Sequence, residues 1–98
     1  LGTLYVLTAK SKPGQCKLGV TQSFLEDRIN AYIYRHGYSV DLYFFRHDIP
    51  TPFRYEEVIT KKYLKHKNSS NSEGDSNEWF FLDPETLKKE ILEIQQDE

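Results

Sequence analysis

The chain lacks the features that mark several common classes of protein. It has one cysteine, Cys16, which excludes an internal disulfide and favours a reducing, intracellular setting. No Cys/His cluster has the spacing of a zinc site. No apolar run approaches the roughly 18–20 residues that a membrane helix needs, and no signal-peptide pattern opens the chain. These absences exclude a disulfide scaffold, a zinc-held fold and a membrane helix.

What the chain does have is enough apolar sequence for one core. Hydrophobic residues make up 38% of the 98 positions and charged residues 29%, so we expect a single domain over residues 1–98. The polar stretch 68–77 predicts a mobile loop within that domain. The first residue is not Met, which indicates either a trimmed chain or a module of a longer protein. In the second case we expect further domains of that protein as partners.

Charge is unevenly distributed along the sequence. Residues 1–67 carry 11 Lys/Arg and 6 Asp/Glu, a net charge of +5, whereas residues 68–98 carry 2 Lys/Arg and 9 Asp/Glu, a net charge of −7. A phosphate backbone responds to the local field, so a basic face can bind nucleic acid although the total charge is −2. Equally, the charges can serve only to solvate the surface.

The first forty residues predict a hairpin followed by a helix. Residues 4–8 and 16–21 read as strands, because they are rich in β-branched and aromatic side chains around a Pro-Gly turn. Ser23 and Glu26 have the spacing of a capping box, and Gly37 is a helix stop. The apolar arc of this helix would consist of Phe24, Leu25, Ile29, Tyr32 and Ile33.

The rest of the chain predicts one more full strand and two helices. A strand is expected over residues 39–46 and a helix over 52–65, after which the apolar stretch 78–82 precedes a last helix. Asp83 would cap that helix and Pro84 would be its first residue. Its buried stripe would be Leu87, Ile91 and Ile94.

This order of elements predicts the α+β class. We expect a small sheet of three strands, or of four if residues 78–82 join it. The sheet would be antiparallel or mixed and flanked by helices. Trp79 and Phe80 are expected in the core rather than on a base-stacking surface.

Two charged residues interrupt the apolar stripes of the predicted helices. Arg28 falls within the arc of the first helix, and Glu56 lies beside Ile59 and Tyr63 on the second. A charge on a core-facing stripe is costly unless it is paired, binds a ligand or lies at the edge of a pocket. The pattern leaves three interpretations open: a structural Arg28–Glu56 salt bridge, side chains that extend to solvent, or a functional site.

The first hairpin adds a third candidate, Tyr5. The alternation of strand residues puts Tyr5 and Leu7 on one face, and Lys17 and Gly19 share one face of the next strand. A glycine inside a strand indicates a bulge or a close approach by a ligand or backbone. A strand tyrosine, in contrast, is usually only a good strand former.

These residues fall into an ordered set of motifs. One triplet, Thr3-Leu4-Tyr5, is followed after eleven residues by Lys17-Leu18-Gly19. Arg28 comes next on the first helix, and Glu56 then begins a Glu-x-x-Ile-Thr-x-x-Tyr pattern. A Glu-Trp-Phe triplet stands at Glu78-Trp79-Phe80.

Together, over residues 3–95, these motifs resemble the GIY-YIG nuclease superfamily, in particular its branch of phage proteins and fungal meiotically up-regulated proteins. The sequence departs from the family pattern at Thr3 and Leu4, which replace Gly and Ile. Lys17 replaces the second tyrosine, and Thr60 replaces a helix-two histidine.

The resemblance implies hydrolysis of a phosphodiester bond with one divalent cation, Mg²⁺ or Mn²⁺. Glu56 would hold the metal, and hard cations favour carboxylate oxygen. Arg28 would neutralise charge on the phosphoryl oxygens, and Lys17 would contact an adjacent phosphate. Tyr5 would orient or deprotonate the attacking water, with bound water or His36 as the alternative base.

Substrate contacts are expected around this catalytic set. Gly19 would allow close approach, and Lys61 and Lys62, with Lys65 and Lys67, would extend an electrostatic track unless they only solvate a helix face. The predicted function is therefore a metal-dependent endonuclease acting on nucleic acid, DNA in preference to RNA. The alternatives are a GIY-YIG-like module that binds nucleic acid with weak or no turnover, and an interaction domain.

Overall fold

The computed structural model describes residues 1–67 and 79–94, and it confirms the α+β prediction. A four-stranded sheet is flanked by three α-helices, with every strand pair antiparallel and the strands in the order β3-β1-β2-β4. In chain order the elements are β1 (Gly2–Thr8), β2 (Cys16–Thr21), α1 (Leu25–His36), β3 (Asp41–Ile49), α2 (Pro52–Lys62), a 3₁₀ turn (Leu64–His66), β4 (Trp79–Phe80) and α3 (Pro84–Leu92). None of the helices in these described segments is both long and apolar enough to cross a bilayer.

The central hairpin gives the sheet two distinct faces. Tyr5 pairs with Gly19, and Leu7 pairs with Lys17, so these four residues share one face. β4 extends the sheet beyond β2, where Trp79 lies opposite Lys17. The strand alternation predicted for the hairpin is therefore confirmed, and the short apolar stretch supplies the fourth strand.

Each face carries its own buried cluster. On the face opposite Tyr5, α2 and α3 cover a cluster made of Leu4, Val6, Cys16, Leu18, Ile49, Ile59, Phe80, Leu87 and Ile91. On the other face, α1 covers Tyr5, Leu7, Ala9 and Trp79 through Leu25, Ile29 and Tyr32. Trp79 and Phe80 are both buried, which confirms that they belong to the core.

The start of α1 differs from the predicted capping box. The helix begins at Leu25 with Phe24 at the N-cap, and no side chain caps it. The Ser23 hydroxyl instead lies 3.0 Å from the Thr21 hydroxyl, whose oxygen also accepts a hydrogen bond from the Ser23 amide. Phe24 is 80% exposed, so its placement in the apolar arc was wrong. The predicted stop is confirmed, because Gly37 adopts a left-handed conformation and its amide bonds to the Ile33 carbonyl.

The position of α2 is fixed at its first turn. Thr51 precedes it with a positive φ of 45°, and Pro52 is buried against Gly2. A Cβ on Gly2 would lie 2.7 Å from Pro52 Cγ and 2.8 Å from the Thr21 carbonyl oxygen, so only glycine fits this contact. The helix ends at Lys62 and continues as a 3₁₀ turn, three residues earlier than predicted.

The remaining boundaries follow the prediction with small shifts. β3 starts two residues and ends three residues later than expected. Asp83 caps α3 by accepting a hydrogen bond from the Glu85 amide at 2.9 Å, and Leu87 and Ile91 are buried as predicted. The loop predicted over residues 68–77 lies outside the described residues.

The buried thiol of Cys16 gives a testable consequence of this packing. Burial, and secondarily the charge of Asp83, raise the pKa of Cys16 from 9.0 to about 12, and its Sγ donates to the Leu82 carbonyl oxygen at 3.3 Å. The thiolate fraction at pH 8 is then roughly a thousandfold below that of a free cysteine. We expect alkylation by iodoacetamide, followed by mass spectrometry, to be blocked in the native protein and rapid in urea.

The same shift predicts how stability changes with pH. Because the folded thiol keeps its proton when the unfolded thiol has lost it, stability falls as pH rises from about 9 towards 12. Urea unfolding of the parent and of Cys16→Ala across this range isolates the effect from other titrating groups. Identical pH slopes in the two proteins would contradict the assignment.

Candidate functional site

Four elements of the fold meet around one polar pocket of about 240 Å³. The pocket lies where the Tyr5 face of the hairpin meets α1 and the side of α2. Six of the eight residues predicted from the sequence line it: Tyr5 from β1, Lys17 and Gly19 from β2, Arg28 and His36 from α1, and Glu56 from α2. Residues that are far apart in the sequence are thus brought to one place.

The floor of the pocket is the Tyr5 ring lying across Gly19. The two residues are paired in the hairpin, and a Cβ built on Gly19 would overlap the Tyr5 ring and lie 2.6 Å from its hydroxyl oxygen. The sequence predicted a close approach at Gly19 by a ligand or backbone. The group that approaches is the side chain of Tyr5, which leaves the ring 4% exposed at the bottom of the pocket.

An aromatic cluster supports Lys17 from the side. The Lys17 ammonium lies 5.5 Å from the centre of the Tyr32 ring, a cation–π distance. The Tyr32 hydroxyl accepts a hydrogen bond from Trp79 Nε1 at 3.0 Å and lies 3.1 Å from the Tyr38 hydroxyl. The His36 ring packs on Tyr32 with ring centres 4.3 Å apart. Lys17 and His36 are therefore positioned by the same tyrosine.

One face of α1 contributes two arginines to the pocket. Arg28, Tyr32 and His36 follow each other at four-residue steps, and Arg35 lies two helical turns from Arg28. Arg28 is exposed and not inserted into the core, so it lies at the pocket edge. Arg35 was missed by the sequence analysis, although its seven-residue spacing from Arg28 was a usable signal.

Arg28 and Glu56 line the same pocket but differ in exposure. Arg28 is exposed, whereas Glu56 is half-buried and lines the pocket from α2. Both charges therefore lie at a pocket, and the structural salt bridge between them stays one of the interpretations that the sequence leaves open.

A second pocket of about 510 Å³ continues from the first along α2. The two pockets share Lys17, Leu18 and Glu56. Lys61 lines the second pocket, together with Lys67 from the segment after the 3₁₀ turn. The two adjoining pockets together are one groove, and both are lined by cations.

Lys62 lies apart from this groove. Its Nζ atom is 2.6 Å from Glu90 Oε2 on α3, which also accepts a hydrogen bond from the Tyr63 hydroxyl at 2.5 Å. Partial burial favours a higher pKa for Glu90, but these hydrogen bonds and the Lys62 charge outweigh it and lower the pKa. The hydrogen bond and charge of Glu90 likewise raise the pKa of Lys62. Of the eight predicted site residues, Lys62 is the one that lines neither pocket.

The donor set of the groove suits a hard cation that arrives with phosphate oxygens. Among the residues that line the first pocket, Glu56 is the one acid, and the described segments contain no cluster of three or more His, Cys, Asp or Glu ligands. Mg²⁺ commonly binds one or two carboxylates and fills its other positions with water and substrate phosphate. Glu56 therefore fits such an ion, and Lys17, Arg28 and Arg35 line the same pocket.

The fold and pocket together define a small α+β domain with a cation-lined, glutamate-containing groove. Residues 2–95 match the family model of the T5orf172 domain, so the chain belongs to the T5orf172 domain family. No curated protein and no solved structure matches the chain.

The contact between Tyr5 and Gly19 predicts the effect of adding one methyl group. In Gly19→Ala the new Cβ meets the far end of the Tyr5 side chain, so the ring should turn away while the fold persists. We expect the free energy of unfolding to fall by about 1–3 kcal/mol, measured by urea unfolding.

A double-mutant cycle separates this clash from other effects. In a Tyr5→Ala background the clash is gone, and alanine should stabilise the strand over glycine by about 0.5–1 kcal/mol. A change of sign between the two backgrounds is the expected result. Equal effects of Gly19→Ala in both backgrounds would show that the ring does not lie on Gly19.

Proposed function

We propose that this chain is a GIY-YIG-type endonuclease domain that hydrolyses phosphodiester bonds of nucleic acid, DNA in preference to RNA, with one Mg²⁺ or Mn²⁺. The observation that carries the proposal is the convergence of Tyr5, Lys17, Arg28 and Glu56, from four elements, in one pocket. The T5orf172 family, a phage-associated domain of nuclease context, supports the same class of activity.

The cations of the pocket bind and polarise the substrate. The planar guanidinium of Arg28 suits two phosphoryl oxygens at once, and its exposed position at the pocket edge leaves it accessible to a strand. Lys17 is held against Tyr32 and contacts the same or the adjacent phosphate. Both charges stabilise the negative charge that develops in the transition state.

Glu56 is the residue that would hold the divalent cation. An ion held by Glu56 would supply polarisation of the scissile phosphate and stabilisation of the leaving oxygen. The anchored first turn of α2 keeps the helix that carries Glu56 in place relative to the hairpin. This rigidity favours a carboxylate that is already positioned before substrate binds.

Tyr5 is the residue that would act on the attacking water. Its hydroxyl group lies over Gly19 at the floor of the pocket, where it orients the water or removes its proton. Free tyrosine has a pKa of about 10. Tyr5 would therefore need the positive charge of the cations in the pocket to act as a base near neutral pH. His36, which lines the same pocket, is the alternative base.

A second candidate function is binding of nucleic acid with weak or no turnover. Two specific residues favour it: Lys17 occupies the place of the second tyrosine of the family motif, and Thr60 occupies that of the helix-two histidine. Both pockets keep the cations that binding needs, so the two functions differ only in the chemical step.

The test of catalysis compares two glutamates, one inside the groove and one outside it. Glu56→Gln removes the carboxylate from the pocket at almost no change in volume, and we expect Mg²⁺- or Mn²⁺-dependent cutting of labelled plasmid and oligonucleotides to fall at least about hundredfold. Glu93→Gln makes the same charge change on an exposed side chain that lines neither pocket, and it should leave cutting in place.

The outcomes separate the two candidates. Salt-sensitive binding by the folded parent, without cutting under any metal condition, would leave the binding module as the function. Equal cutting by the parent and Glu56→Gln would remove Glu56 from the mechanism. No binding at low salt would exclude both candidates.

A further inference from the structure

One face of α2 carries an aromatic ring as well as the carboxylate and lysine already described. Phe53, Glu56, Glu57, Thr60 and Lys61 all line the second pocket, so they share one broad side of the helix. Along the helix axis, Phe53 lies about one turn before Glu56, and Lys61 lies after it. The ring, the carboxylate and the ammonium follow one another along the groove.

Phe53 differs from the other exposed phenylalanines because it lies in a pocket that lysines also line. Its side chain is 53% exposed, which leaves apolar surface in water without an obvious packing role. Other phenylalanines are exposed too, but Phe24 and Phe81 line neither pocket of the groove. Phe45 lines a separate pocket that contains no lysine or arginine. Phe53 is the exposed phenylalanine that shares a pocket with lysine side chains in the described segments.

The backbone under Phe53 is fixed before any ligand arrives. Pro52 is buried on Gly2, and the Arg54 amide bonds to the Thr51 carbonyl at 3.1 Å in the first turn of α2. An aromatic ring on a fixed backbone loses little conformational freedom when it is covered, because it has two side-chain torsions. Such a ring is well suited to stack on a planar partner.

The groove brings this ring close to the phosphate site. The pocket that contains Phe53 shares Lys17 and Glu56 with the first pocket, so a strand with a phosphate at Glu56 continues past Phe53. Lys61 and Lys67 line the same pocket and can contact the following phosphates. Alternation of lysines with an aromatic platform is typical of grooves that bind single strands.

We propose that Phe53 stacks on an unpaired base next to the phosphate held at Glu56, so that the groove binds a single-stranded segment of nucleic acid. This inference rests on the proposed function and adds the substrate class. Bases in a duplex are stacked on both sides and cannot present a face to the ring, whereas an unpaired base can. A duplex bound in the same groove would contact the cations through its phosphates, but no base would stack on Phe53.

The experiment measures binding with Ca²⁺ in place of Mg²⁺ or Mn²⁺, so that the Glu56 carboxylate can still hold a cation, and a gel run afterwards checks that the probe is uncut. The probe is a fluorescein-labelled DNA strand of ~12 nucleotides, free or paired with its complement, titrated by fluorescence anisotropy. Phe53→Ala should raise the dissociation constant for the single strand about 5- to 150-fold and change duplex binding little. Phe53→Trp should restore binding, and Phe53→Leu, which keeps apolar bulk without a ring, should not.

The matched control is Phe81→Ala, which removes a phenylalanine that is 54% exposed but lies outside the groove. It should bind like the parent. Salt dependence gives a second, independent readout, because stacking releases no counterions. Phe53→Ala should keep the parent's slope of log affinity against log salt, whereas Lys61→Ala should make the slope shallower by about 0.7 for a single strand.

Each outcome has a distinct meaning. If the parent binds DNA but Phe53→Ala equals Phe81→Ala, or loses single strand and duplex equally, the stacking proposal is overturned and the proposed function stands. If the parent binds neither probe at low salt, the proposed function fails and the stacking proposal fails with it. Selective loss of the single strand, with an unchanged salt slope, is the result that supports stacking.

Discussion

The site depends on the packing of the Tyr5 ring against Gly19, a strand residue without a side chain. Glycine inside a strand usually weakens a sheet by about 0.5–1 kcal/mol relative to alanine. At Gly19 the missing side chain leaves the space that the ring of Tyr5 fills, on the central hairpin of the fold. Because the ring lies flat there, α1 can cover this face of the sheet while an open pocket remains beside Arg28 and Glu56. The contact forms the floor of the pocket that Arg28 and Glu56 line.

The first pocket of the groove contains three cations and a single acid. Lys17, Arg28 and Arg35 line it together with Glu56, and the second pocket adds Lys61, Lys67 and Glu57. Local potential of this kind governs attraction of phosphate even though the whole chain has a net charge of −2. The aromatic cluster under Lys17 adds a second effect, because Tyr32 restricts where that ammonium can go.

Sequence reasoning succeeded where the deciding interactions were local and failed where they came from distant residues. The strand alternation of the hairpin and the Asp83 cap could be read directly, since each depends on neighbours in the chain. The Ser23 capping box was wrong because Thr21 on the end of β2 takes the serine hydroxyl. Lys62 fitted the pattern of a basic helix face, but its partner Glu90 lies on another helix. Which side of a helix faces the groove was visible only once the sheet had placed both helices.

The indole of Trp79 joins the edge strand to the tyrosine under Lys17. It is the single tryptophan of the chain, and it is fully buried. Tryptophan emission, excited at wavelengths that tyrosine does not absorb, therefore reports on one location, the contact between β4 and α1, and not on an average over the molecule. Any process that loosens the wall of the pocket changes the environment of the indole, so its emission is a native optical reporter of site integrity that needs no introduced label.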